Sequence, residues 1–232
     1  MNARHLLGRA RTRTVAAGTA ALLAGGMAAT VLLPAGAASA SIGTCTGTSL
    51  PAGSSCTLTG TGTITGGTLT LATSPTALAW GTTLAGSDSQ LTDTTAGHTA
   101  FSVNDSTGSG AGWNVTVSAT TFTAGSKTLA NSGTLALTGS TSSESATTAP
   151  DAACNTGSTC TAPTDSATYP LAVTTAASSP TAVKIYNAAA GTGLGYVNVG
   201  SVNPAAWWLN VPANAYAGAY TSTITWALNS AP

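Results

Sequence analysis

Behind residue 40 the chain holds few groups able to do chemistry. They are six acids (Asp88, Asp93, Asp105, Glu144, Asp151 and Asp165), His98, Lys127, Lys184 and four cysteines. Glycoside hydrolysis needs two carboxyl groups held across a sugar bond. Asp88, Asp93, Glu144, Asp151 and Asp165 all fall in Ser/Thr/Gly-rich turns, where an acid ordinarily bonds its own backbone. A Ser-His-Asp system would have to use His98, which lies in TTAGHTA without a G-x-S-x-G elbow and reads as a solvated loop histidine. The GTGLG stretch lacks a phosphate-binding lysine pattern and reads as a flexible turn. The expectation is a chain with no catalytic residues and no cofactor.

Asp105 is the acid with the most suggestive surroundings. In VNDSTGSGAGW, a Gly-rich loop carrying Asp, Ser and carbonyl oxygens could hold calcium, or Asp105 could bond its own backbone in a long hairpin turn. The cysteines form two close pairs, Cys45 with Cys56 and Cys154 with Cys160 in CNTGSTC. Four cysteines allow three pairings, and the two local ones are favoured, each stapling a loop with little apolar surface. Their spacings fit no usual zinc knuckle.

Tryptophans supply the remaining chemistry, as apolar anchors or as platforms for sugar rings. On WNVTVSA, Trp113, Val115, Val117 and Ala119 share one face of a strand; on AYTSTITWAL, Tyr220, Ile224, Trp226 and Leu228 share one face opposite Thr221, Thr223 and Thr225. The apolar company of Trp113 and Trp226 predicts that both face the core. Trp80 and the adjacent pair Trp207–Trp208 are the candidates for exposure, because neighbours on a strand point to opposite faces and one of the pair should leave the core.

The elements that must position these residues follow from composition. Arg4, Arg9, Arg11 and Arg13 precede an apolar run that ends in Ala38-Ser39-Ala40, the pattern of a secretory leader cleaved before Ser41, with an uncleaved anchor as the alternative. Export suits oxidised cysteines. Without the leader two lysines face six acids, a net charge of −4, so no basic patch exists for nucleic acid or anionic lipid. No transmembrane segment is expected after its removal. Residues 41–232 amount to one domain. Short runs of alternating apolar and Ser/Thr residues, with turn formers between them, predict an all-β antiparallel sandwich or related barrel of about ten short strands. Residues 123–168, rich in Ser, Thr and Ala, read as a low-complexity surface excursion within it.

Two stretches together resemble the WxL-domain proteins of Gram-positive cell surfaces. FSVNDSTGSGAGWNVTVSA is similar to the family's mid-chain motif after a Gly-rich turn, with Val115 where the family has leucine. LNVPANAYAGAYTSTITWALNSAP is similar to its distal motif, with Tyr220, Thr225, Trp226 and Leu228 in register. The resemblance implies a non-catalytic, wall-attached domain binding peptidoglycan or wall polysaccharide non-covalently. It also implies that no sortase signal is to be expected. A structural or adhesive protein acting through surface-protein partners is the alternative. Ice binding by Thr-x-Thr ladders is disfavoured, since no fixed repeat is present.

Overall fold

A computed structural model of the chain describes residues 43–45, 49, 52, 55–139 and 145–232. The expected leader, residues 1–40, and Glu144 lie outside the described residues. The chain divides into two units, Met1–Thr61 and Gly62–Pro232, and each is described by itself. In the first, β1 (Gly43–Thr44) pairs in parallel with β2 (Cys56–Thr57), and the Cys45–Cys56 disulfide ties the pair together.

The second unit runs through β3 (Leu69–Thr73), β4 (Ser89–Asp93), the one-turn helix α1 (Ala96–Thr99), β5 (Phe101–Asp105) and β6 (Trp113–Ala119). A short hairpin of β7 (Thr123–Ala124) and β8 (Lys127–Thr128) leads to β9 (Leu135–Thr138) and β10 (Ala152–Cys154). The remaining strands are β11 (Leu171–Val173), β12 (Val183–Ala188), β13 (Gly195–Val199), β14 (Ala206–Val211) and β15 (Ile224–Ser230). They form three larger sheets, ordered β10-β13-β5-β3, β11-β9-β14-β4 and β12-β6-β15, with every strand pair antiparallel. The arrangement is sandwich-like and does not close into a barrel.

Period-two alternation builds the core. Val115, Val117 and Ala119 share the inward face of β6 with Trp113 and are fully buried, while Thr116 and Ser118 on the other face are half-buried. Phe101 and Val103 on β5 stand opposite Val199 and Val197 on β13, and all four are buried. A bulge in β12 between Lys184 and Tyr186 lets consecutive residues, Ile185 and Tyr186, both join the core. The loop from Asp105 to β6 ends at Gly112, whose φ of 79° suits glycine. A Cβ there would also lie 2.4 Å from the Ala188 carbonyl oxygen, so only glycine fits.

Two expectations need correction. Residues 123–168 are not an excursion: they supply β9, central in its sheet between β11 and β14, and β10, which closes the edge beside β13. Leu129, Leu135 and Leu137 from this stretch are buried. GTLALTG, which carries β9, alternates legibly, whereas the three residues of β10 are too few to show a period. The alternation also predicts a strand over CTLTGTGTIT, but there only Cys56–Thr57 is strand, and Leu58 and Ile64 are 81% and 99% exposed. Without partners to take up its backbone groups, alternation alone does not make a ladder.

Candidate functional site

The two tryptophan motifs lie on adjacent strands. β15 runs antiparallel to β6 with Leu228 directly opposite Val115, Trp226 opposite Val117 and Ser230 opposite Trp113. The third position of each motif therefore meets the third position of the other, and the two tryptophans diverge to opposite ends of the shared inner face. Trp113 is wholly enclosed. Its indole stacks on Tyr186 with centroids 5.8 Å apart, and its Nε1 donates to the Gly193 carbonyl at 3.0 Å. A Cβ on Gly193 would lie 2.5 Å from that same nitrogen, so glycine there makes room for the ring.

Trp226 faces the same way but is only half-buried, because β15 is the edge of its sheet. One side of its ring meets Phe101 and Trp207, at 5.7 and 6.2 Å between centroids. The rest opens into a groove of about 1020 Å³ whose lining includes Trp80, Leu91, Tyr216, Tyr220, Ile224 and Trp226. Aromatic, aliphatic and hydroxyl side chains make up the lining, with no charged residue among them. Trp80 is half-buried, with its ring edge-on to Phe122 at 6.1 Å. The Tyr220 hydroxyl donates to the Tyr216 carbonyl at 3.2 Å. Lys127 places its ammonium 3.9 Å from the centre of the Tyr216 ring at the margin. Thr225 is exposed on the opposite face of β15, and Leu228 is half-buried against the core.

One wall of the groove is an irregular strap, residues 75–84, held from behind by α1 and the end of β4. The Ala79 N–H donates to Asp93 Oδ2 at 3.1 Å, and the Thr76 N–H donates to the Gly97 carbonyl at 2.9 Å. His98 Nδ1 reaches the same Asp93 oxygen at 2.7 Å. Burial alone would raise the Asp93 pKa, but the bonds from Thr95, His98 and Ala79 outweigh it and hold the carboxyl below its ordinary value. His98 is thus not a solvated loop residue. It sits on α1, three-quarters buried, and orients the acid that anchors the strap.

The Trp207–Trp208 expectation is also corrected, because neither ring is exposed. They do point to opposite faces, as adjacent strand residues must. Trp207 joins the core with Leu209, and Trp208 on the other face donates its Nε1 to the buried Thr138 hydroxyl at 2.8 Å. Its neighbours on that face, Ala206 and Thr138, are fully buried as well, so leaving the core face here does not mean reaching solvent.

The acids serve the backbone. Asp105 is buried, and its Oδ1 accepts from the Thr107 N–H and hydroxyl at 3.1 and 2.6 Å, capping the loop suggested for calcium, which is not the expected hairpin because β5 and β6 belong to different sheets. Among the described residues no three metal-ligating side chains converge. Asp88 accepts from the Ala213 N–H, Asp151 from Val202 and Asn203, and Asp165 from Ala167 and Asn187. Both disulfides are the local ones, Cys45–Cys56 and Cys154–Cys160. The second staples a loop onto β13, where the Asn155 N–H donates to the Tyr196 carbonyl and Cys160 packs against the core.

Of the strap, the sequence singled out Trp80 alone; the rest of it, Tyr216 and the placement of Lys127 at the groove were not foreseen. The available signal was PTALAW, an apolar run with a tryptophan set between Pro75 and Gly81, too irregular for either period. A family model described as WxL domain surface cell wall-binding matches residues 51–232. No curated protein and no solved structure matches the chain significantly.

Proposed function

The chain belongs to the WxL family of surface cell-wall-binding domains, and from that premise we propose that it is a non-catalytic module holding wall polysaccharide or peptidoglycan in the groove beside β15. The family places it at the cell surface, and no helix among the described residues is long and apolar enough to cross a membrane. The observation that carries the reading is the half-open Trp226 of the distal motif, which shares an uncharged groove with Tyr220 and Trp80. Aromatic faces take up the apolar faces of sugar rings, and hydroxyl side chains and backbone groups bond the ring substituents. Binding of this kind needs no covalent step. The groove lining contains no acid and no histidine, and the described acids are committed to backbone donors, Asp93 to that of Ala79 behind the groove wall, which supports binding rather than hydrolysis.

Cosedimentation with purified Gram-positive sacculi tests the reading, using Trp80→Ala and Tyr220→Ala beside the parent protein and thermal unfolding as the control for folding. Both variants should melt cooperatively and bind more weakly. Folded variants that bind as well as the parent would remove the groove from the wall-binding surface.

A further inference from the structure

Lys127 stands at the margin of an otherwise uncharged groove. Its ammonium lies over Tyr216, a ring that lines the groove and is 62% exposed. The other lysine, Lys184, is turned to the Asn187 side-chain oxygen at 3.2 Å. None of the described carboxylates forms an ion pair with Lys127: Asp88, Asp93, Asp105, Asp151 and Asp165 each accept from backbone N–H groups elsewhere.

The lysine is also held in place. It follows the two-residue Gly125-Ser126 turn of the β7–β8 hairpin. Thr123 exchanges two backbone hydrogen bonds with Thr221, at 3.0 and 2.9 Å, and a Cβ on Gly218 would touch that of Ala124 at 3.0 Å. The hairpin is thereby fixed to the 216–222 loop that forms the mouth of the groove. Setting the backbone beforehand lowers the ordering cost of an ionic contact. An ammonium over an exposed ring keeps its N–H donors available to a second partner.

We propose that Lys127 recognises an anionic substituent, carboxylate or phosphate, on the glycan seated in the groove. The ligand is then an acidic wall polysaccharide rather than a neutral one. This rests on the groove reading above. A neutral sugar asks for no cation, whereas a chain of net negative charge beyond residue 40 needs a local positive charge to accept an acidic polymer.

Binding isotherms of the parent, Lys127→Gln and Lys127→Arg would be measured on three sacculus preparations. These are intact, stripped of phosphate-bearing polymers by hydrofluoric acid, and amidated at their carboxylates. On intact sacculi Lys127→Gln should bind roughly threefold to fivefold more weakly, the scale of one exposed ion pair, with Lys127→Arg close to the parent. One of the two treatments should erase the difference between parent and Lys127→Gln, and which one does so identifies phosphate or carboxylate. Equal binding by Lys127→Gln on intact sacculi, with Trp80→Ala and Tyr220→Ala still impaired, would overturn this inference and leave the groove reading standing. Unimpaired Trp80→Ala and Tyr220→Ala would overturn both.

Discussion

At the scale of single residues, the two motif tryptophans do different work, and substitution should separate them. Trp113 is fully enclosed, so Trp113→Ala should cost roughly 3–5 kcal/mol in a denaturant melt and bring down wall binding with the fold. Trp226 is half open, so Trp226→Ala should cost about 2 kcal/mol, the value of a partly buried ring with aromatic neighbours. It should lose binding while still folded, and equal destabilisation by the two would contradict the assignment. Asp93 carries a pH signature. Its folded pKa is depressed, so its contribution is present above the unfolded value of about 4 and is lost as pH falls through the lower folded value. Asp93→Asn should therefore destabilise the protein at neutral pH, and the gap to the parent should narrow in melts below about pH 4. Asp165 has the opposite sign. Burial raises its pKa against the hydrogen bonds it accepts, so its charge is a burden above the raised value that is relieved as pH falls toward the ordinary carboxylate range.

At the scale of elements, the β6–β15 pair couples the motifs by size. Val115 stands directly opposite Leu228 and has no exposed surface. Restoring a leucine with Val115→Leu should overpack the pair by about 1–3 kcal/mol, and adding Leu228→Val should recover part of the loss. A double-mutant cycle by urea unfolding would measure that coupling, and strictly additive effects would mean the two positions are independent. The Cys154–Cys160 bridge belongs to the same scale. Because its loop is hydrogen-bonded to β13 rather than hanging from an excursion, reduction or Cys→Ser replacement should lower global stability by about 2 kcal/mol in the loop-entropy estimate.

For the whole molecule, the shortage of charge is the governing property. Four arginines precede the expected cleavage point, and beyond it the surface is wetted chiefly by Thr and Ser hydroxyls. Retention on sacculi should therefore weaken only modestly as NaCl rises from low to high concentration, since one ammonium and not a basic patch contributes. Complete release by moderate salt would indicate an ionic surface that the fold does not display among its described residues.

The sequence by itself determined which way side chains point. Alternation put Trp113, Val115 and Val117 on one face and Trp226 with Leu228 on one face, and the structure keeps both assignments. It also favoured the local disulfides, because loops so poor in apolar residues need a staple close by. Motif residues carried the family, since Tyr220, Thr225, Trp226 and Leu228 keep their spacing without any knowledge of partners. Only the tertiary structure decided what pointing inward or outward amounts to. Trp208 points away from the core yet is buried, because the outer face of β14 is itself covered: Ala206 and Thr138 beside it are fully buried, and Thr138 takes its N–H. Trp226 points inward yet stays half open, because β15 ends its sheet and the 75–84 strap stands off across the groove. β4 and β10 were illegible for the same reason: a three- to five-residue strand is specified mainly by the neighbour that accepts its hydrogen bonds. Facing is a local property of the backbone period, whereas burial depends on chain that arrives from far away in sequence.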